Sequence, residues 1–363
     1  MKIAVIGTRG FPGIQGGVET HCEELYTRLA AKGHDITVMR REPYVNDGNR
    51  FATWKGVKLV DLPAPRSKHF EAIVHTFRAL MRARRLHPDI VHIHNIGPAL
   101  VAPLARLMGM KVVVTVHSFN YTHSKWGFLA KNILRLGEWT GMSTAASVIA
   151  ISDTNYRSLT KRYPKLNCNL IYNGVSVPPP TPEKNLLEKW GIGRRPYIVA
   201  IGRLTPEKGF HDLIKAYADE GLADICDLVI AGNADNEDAY SRRLREQAAE
   251  AGVILTGFIK GEPMRQLMSN ASLFAITSYN EGLPLSLLEA MAYGLDVVSS
   301  DIEPCRLPML EDSDYYPCGD TAVLGKKLRE KISSPTRRTY NLTPFDWDNI
   351  AEQTDGIYKS LAR

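Results

Sequence analysis

The 363-residue chain is poor in cysteine: Cys22, Cys168, Cys226, Cys305 and Cys318 are an odd number with no CxxC pair. That scarcity argues against a disulfide framework and a zinc ribbon, and it suits a reducing compartment. Long apolar runs are missing too; none approaches the roughly 20 residues that span a bilayer. MKIAVIG enters a strand at once, without an apolar leader. A cytoplasmic protein is expected, with any membrane contact peripheral and on the inner face of the cell membrane. Neither sign of charge dominates, since 45 Lys and Arg against 39 Asp and Glu leave +6. Such a balance suits an anionic ligand or an anionic membrane surface but does not by itself indicate nucleic acid. No RNP-like aromatic spacing is present, so a nucleic-acid partner is not expected.

What the chain does have is a regular alternation. Apolar runs such as KIAVIG (2–7), HDITVM (34–39), DIVHIH (89–94), KVVVTVH (111–117), SVIAIS (147–152) and CNLIYNG (168–174) are separated by helical patterns at 18–33 and 70–86 and by one ending near Gly109. Runs apolar almost throughout, divided by helices, predict a buried parallel sheet. The stretch VSVPPPTPEKN (175–185) then places four prolines in eleven residues, as a connection between domains would. A second series follows: strands at 195–203, 227–233, 252–258, 272–278 and 296–301, with helices at 209–219, 238–251 and 285–294. An amphipathic helix closes the chain at 346–362. At this length two domains are expected, here two similar α/β lobes with a cleft between them.

Three glycine-containing motifs carry the chemistry. GTRGFPGIQGGVET (7–20) follows the first strand, but Gly7, Gly10 and Gly13 with Pro12 lack the spacing of a dinucleotide fingerprint, and no GK[ST] follows. Gly16 and Gly17 instead precede a helix whose first-turn amides suit an anion, or they form a plain crossover with Glu19 complementing the helix dipole. GRLTPEKG (202–209) brings Arg203 and Lys208 to the carboxyl end of a strand, where two cations would suit a pyrophosphate; a solvated helix start is the plainer alternative. YNEGLPLSLLEAMAYG (279–294) sets Glu281 before a helix and Glu289 within it, too far apart along the chain to be assumed an acid–base pair. A carboxylate near a helix start accepts well from sugar hydroxyls, and Gly282 leaves backbone amides approachable.

Histidines gather at strand ends. His92 and His94 form an HxH, and His117 ends a strand with His123 after it. With no HExxH and no supporting cysteine, no metal is expected; His117 is the better candidate for a neutral hydrogen-bonding role near the chemistry. Residues 66–85 and 125–139 interleave aromatic, aliphatic and basic side chains. They suit either an anionic bilayer surface or core-packed helices with solvated basic faces.

In order, GTRGFPGIQGGVET, TVHSFNYTHSKWG, GRLTPEKG and EGLPLSLLEAMAYG followed by SSDIEP resemble the retaining GT-B glycosyltransferases of family 4. More narrowly they are similar to bacterial hexosyl- and rhamnosyltransferases of polysaccharide assembly. The resemblance spans nearly the whole chain and implies an α/β GT-B fold, two Rossmann-like parallel-sheet domains facing each other across a cleft. Residues 1–175 would bind the acceptor, 176–345 the nucleotide sugar, and the helix of 346–363 would cross back to the first domain.

The resemblance also implies roles. Gly16 and Gly17 would approach the donor diphosphate, and Arg203 and Lys208 would grip it. Glu281 would hold donor-sugar hydroxyls, helped by the amides of Gly282, Leu283, Pro284 and Leu285 where they carry an N–H. Glu289 would accept from the ribose, and Gly257, Phe258 and Ile259 would border the base. His117 would lie near the anomeric carbon, with His94, Asn120, Tyr121 and Lys125 on the acceptor side. The donor would be a nucleoside diphosphate sugar of UDP, GDP or dTDP type, with no metal and no other cofactor. The acceptor would be a glycan or an undecaprenyl-type lipid-linked saccharide. The chain departs from the subgroup's HGxDW at His117-Ser118-Phe119-Asn120-Tyr121, and from GGTNPSL at 281–287, so glucose, galactose, mannose and their N-acetyl forms stand beside rhamnose. A GT-B sugar-nucleotide epimerase and a non-catalytic saccharide-binding protein are the competing readings.

Overall fold

The computed structural model describes the chain except residues 66–70, 120–127, 235–236 and 363. Two compact units emerge: Met1–Gly174 with Phe345–Arg363, and Val175–Pro344.

The first unit is built on an eight-stranded sheet. Its elements in chain order are β1 (Lys2–Ile6), α1 (Gly17–Ala31), β2 (Asp35–Arg41), β3 (Thr53–Trp54), β4 (Val57–Leu62), α2 (Glu71–Leu86), β5 (Ile90–His94), α3 (Ala102–Leu107), β6 (Lys111–Val116), α4 (Phe128–Thr144), β7 (Ser147–Ala150), α5 (Asp153–Arg162) and β8 (Cys168–Leu170). The strand order is β3-β4-β2-β1-β5-β6-β7-β8. Successive residues of β1 alternate between two cores. Ala4 and Ile6 pack with Ala79, Leu80 and Ala83 of α2, and Ile3 and Val5 pack with Cys22, Leu25, Tyr26 and Leu29 of α1. Both faces are covered, which is why these strands are apolar throughout.

The closing helix of the chain belongs to this first unit. It spans Trp347–Ala362, buries Trp347, Ile350, Ala351, Thr354, Asp355 and Tyr358 as one helical stripe, and packs beside α1 in the second of those cores. Polar pairs line the seam: Arg28 to Asp348 at 2.8 Å and His34 to Asp355 at 2.9 Å.

The second unit has a six-stranded sheet. Its elements are β9 (Tyr197–Ile201), α6 (Phe210–Asp219), β10 (Asp227–Ala231), α7 (Ala239–Glu250), β11 (Ile254–Gly257), α8 (Glu262–Asn270), β12 (Leu273–Ile276), α9 (Leu285–Ala292), β13 (Val297–Ser300), β14 (Tyr315–Tyr316) and α10 (Thr321–Ser333). The closing helix of the first unit is accordingly α11. The order is β11-β10-β9-β12-β13-β14, parallel at every pairing.

Apart from the β3–β4 hairpin, the chain reverses its direction of growth once in each sheet, between β1 and β5 in the first and between β9 and β12 in the second. Ligands of open α/β sheets bind at the carboxyl edge beside such a reversal. Two expectations need correction. The first sheet is not wholly parallel, because β3 pairs antiparallel with β4 through Thr53↔Lys58 and Trp54↔Val57. The run 147–152 stops being a strand at Ala150, because the Ser152 side chain accepts from the Asn155 amide and starts α5. No helix among the described residues is long and apolar enough to cross a membrane.

Candidate functional site

At the reversal of the first sheet the ends of β1, β5 and β6 meet α1. Gly7, at φ 98°, lies where an added Cβ would stand 2.3 Å from the His94 carbonyl oxygen, so only glycine lets the two strand ends close up. Beyond it the opening loop is tied down by a carboxylate. Glu19, buried in the first turn of α1, accepts from the Thr8 hydroxyl at 3.3 Å and the Arg9 amide at 3.0 Å. It lies across Gly16, where a Cβ would stand 2.0 Å from Glu19 Oε2. Glu19 therefore does more than complement the helix dipole: it shapes the loop. Gly16 is the N-cap of α1 and Gly17 its first residue, and no side chain caps that helix start.

Behind the loop lies a cluster of buried imidazoles. His94 Nδ1 and His117 Nε2 share a hydrogen bond of 2.9 Å, and His94 Nε2 meets the Tyr26 hydroxyl at 2.6 Å. His21, from α1, bonds Asn173 Oδ1 through Nδ1 at 2.7 Å and stands edge-on to His117 with ring centroids 4.8 Å apart. Its other nitrogen, Nε2, is buried without a partner. His92 turns away to the Tyr358 hydroxyl at 2.5 Å and Thr115 Oγ1 at 2.7 Å. Burial keeps all four neutral. It pushes His21 down to about 4, against the pull of its Asn173 bond, and His92 down to about 3. His94 and His117 lie well below the ordinary histidine value through burial first and neighbouring imidazoles second.

In the second unit the loops after β9 and β12 come together. Lys208 Nζ lies 2.5 Å from Glu281 Oε1, with their side chains 19% and 12% exposed. The same carboxylate oxygen accepts from Ser278 Oγ at 2.6 Å. The register is held by backbone: the Tyr279 amide donates to Glu207 O at 2.8 Å, and Thr277 Oγ1 donates to Lys208 O at 2.9 Å. Lys208 and Glu281 are thus direct partners, which their separation of 73 positions does not reveal. Arg203 lies on the same loop after β9. Gly282, Leu283 and Pro284 lead into α9, which begins at Leu285 with no side-chain cap. Glu289 lies half-buried one turn further on. Gly257 ends β11, two strands from β9 at the same edge, with Phe258 exposed and Ile259 half-buried after it.

Asn120, Tyr121 and Lys125 lie outside the described residues. His21, Tyr26, Asn173 and Ser278 are site residues that sequence reasoning missed. The available signal was position: His21 and Tyr26 sit on the helix that follows the glycine loop, at the edge where His94 and His117 end their strands. Ring nitrogens of His21, His94 and His117 all lie within 4.8 Å of one another, the one such metal-competent group among the described residues. It contains His21 and not His92, so the HxH pair is not its basis.

A neutral imidazole cluster thus stands at one strand-order reversal and a cation–carboxylate pair at the other. The family model for Glycosyltransferase Family 4 matches residues 15–177, and that for Glycosyl transferases group 1 matches residues 182–314. The chain belongs to this enzyme class. It is 27% identical over 400 residues to the alpha-maltose-1-phosphate synthase of Mycolicibacterium smegmatis, covering all of both chains. It is also 27% identical over 331 residues to the GDP-mannose-dependent alpha-(1-6)-phosphatidylinositol monomannoside mannosyltransferase of Mycobacterium tuberculosis, covering 83% of this chain and 81% of that one. Among solved structures, sucrose-phosphate synthase from Thermosynechococcus elongatus superposes with a TM-score of 0.84 at 21% identity, over 99% of this chain and 98% of that one.

Proposed function

We propose that the enzyme transfers a hexose, with retention, from a nucleoside diphosphate sugar to a saccharide acceptor presented at an anionic membrane surface. The observation that carries the donor half is the Lys208–Glu281–Ser278 constellation beside the uncapped start of α9. Lysine offers three N–H donors, so Lys208 can keep Glu281 oriented while it reaches a phosphate oxygen. Arg203 adds a second cation for the charge that grows on the departing diphosphate. Stabilisation of that charge is worth most in the transition state, where it is largest. Glu281 and the amides at 282, 283 and 285 receive the sugar hydroxyls, and Glu289 the ribose. The departing phosphate serves as base for the acceptor hydroxyl on the front face.

The membrane half rests on α2. Its inner face buries His75, Thr76, Ala79, Leu80 and Ala83, yet Ile73, Phe77 and Met81 form an outer stripe at i, i+4 and i+8 that is also exposed, Phe77 by 51%. Arg78, Arg84 and Arg85 flank it. Exposed apolar side chains edged by arginine suit the headgroup boundary of anionic lipid. A second reading, a soluble saccharide or sugar-phosphate acceptor, is favoured by the full-length likeness to a maltose-1-phosphate synthase.

A thermal-shift screen across UDP, GDP, dTDP and ADP sugars identifies the donor, and release of nucleoside diphosphate with lipid-linked and soluble acceptors then separates the readings. Isomerised donor formed without any acceptor would select an epimerase. On vesicles containing phosphatidylglycerol the protein should float, less so at high salt. Phe77→Ser should abolish flotation while changing stability by no more than about 0.5 kcal/mol. Flotation equal for wild type and variant removes the membrane half.

A further inference from the structure

We propose that Tyr26, acting through His94, fixes His117 in one tautomer, with its proton on Nδ1, so that His117 meets substrate as a hydrogen-bond donor and not as a base. The kinetic part of this rests on the function proposed above; the tautomer itself does not.

The number of protons on the His94 ring limits the choices. The His94 imidazole is buried at both nitrogens, with Tyr26 on one side and His117 on the other. A neutral imidazole carries one proton, so it donates through one nitrogen and accepts through the other. Two arrangements satisfy both bonds. In the first, Tyr26 donates to His94 Nε2, His94 Nδ1–H donates to His117 Nε2, and the His117 proton is on Nδ1. In the second every arrow reverses, and His117 Nδ1 is bare.

Phenol chemistry chooses between them. A phenolic O–H is a stronger donor than a neutral imidazole N–H, and an imidazole lone pair is a stronger acceptor than a phenol oxygen. The bond of 2.6 Å between Tyr26 and His94 is therefore better made with tyrosine donating. The remaining groups facing His117 agree with a neutral ring. His21 directs its Nδ1–H to Asn173 Oδ1 and stands edge-on to His117. On the far side of His94, His92 lies stacked at 4.6 Å and is itself bonded to Tyr358 and Thr115. No carboxylate takes part in these bonds, so nothing in them rewards an imidazolium. Tyr26 is thus a positioning residue for His117. The same bond occupies one nitrogen each of His94 and His117, so a metal held by the three imidazoles would first have to break it.

Long-range 1H–15N spectra of histidine-labelled full-length protein distinguish protonated from bare ring nitrogens, with His117 assigned from the His117→Asn spectrum. Between pH 6 and 8 the wild type should show His117 as a single species protonated at Nδ1. Protonation at Nε2, or an even mixture, overturns the proposal whatever the activity. Tyr26→Phe should turn the single species into a mixture with the amide spectrum otherwise kept. kcat should then fall in proportion to the competent fraction, by roughly two- to tenfold, with KM little changed. Should that variant fail to fold, the wild-type spectrum alone decides. Stoichiometric Zn2+ uptake that removes the His94 Nδ1 proton and shifts His21, His94 and His117 together would also overturn it, because the trio would then be a metal site.

Discussion

The two units place their functional groups alike and make them of opposite material. Each uses the carboxyl edge beside the reversal of strand order, β1 with β5 in the first and β9 with β12 in the second. In the first unit that edge is filled by buried neutral imidazoles joined through hydroxyls and an amide. In the second it holds a lysine, a glutamate and a serine in contact. The difference is one of solvation. Full burial makes a charged imidazole costly, so the histidines stay neutral, whereas the lysine and the glutamate stand partly exposed and in contact with each other. The first unit therefore supplies directional hydrogen bonds whose strength does not depend on ionisation near neutrality. The second supplies charge.

The largest effect tests what holds the first unit. Trp347→Ala removes a side chain that is 2% exposed in the core shared by α1 and α11. A cost of about 3–5 kcal/mol is expected, seen as a lower unfolding midpoint in urea. A loss below about 1 kcal/mol would mean that α11 is not part of this core in solution.

Next comes the charged pair. Lys208→Ala should lower kcat/KM by roughly 10²–10³-fold, the size found when one donor to a developing anion is removed. Glu281→Ala should fall comparably, and the double variant should fall by much less than the product of the two, since groups in contact act as a unit. Steady-state kinetics with the best donor decides this; full additivity would show that the contact between them carries no function.

A further effect is one of pH and belongs to the first unit. His21 and His75 are pushed down to about 4 and His92 to about 3, in each case chiefly by burial. The unfolded chain, with histidines near 6.5, binds more protons than the native protein below that value. Stability from these groups is therefore complete above about pH 6.5 and is lost progressively as pH falls toward 4 and below. The melting temperature should be flat from pH 7 to 8 and drop on acidification. His75→Gln, away from the proposed chemistry, should make that drop shallower. An equal slope in the variant would refute the burial argument for His75.

Much of the fold was legible because parallel strands covered on both faces are apolar throughout. KVVVTVH shows this directly, and β6 occupies 111–116 of that run. The elements that escaped had weaker patterns. The strands β3 and β14 are two residues each, and Ser152, the N-cap of α5, lies inside what looks like a continuing strand. Of the site, the glycine loop, Arg203, Lys208, Glu281 and His117 stood out because strand ends concentrate function. His21, Tyr26 and Asn173 did not, since each is an ordinary residue of a helix or a loop until its neighbours are known.

Composition and periodicity by themselves determined the class of fold, the two series of strands and helices, and which strand ends carry reactive side chains. These are local properties, set by spacings of two and of about 3.6 residues along the chain. Only the tertiary structure decided which of those side chains meet. Lys208 reaches Glu281 across 73 positions, and His21 reaches Asn173 across 152. Such pairings depend on strand order, and strand order depends on how helices cover both faces of a sheet, a requirement no local stretch of sequence records.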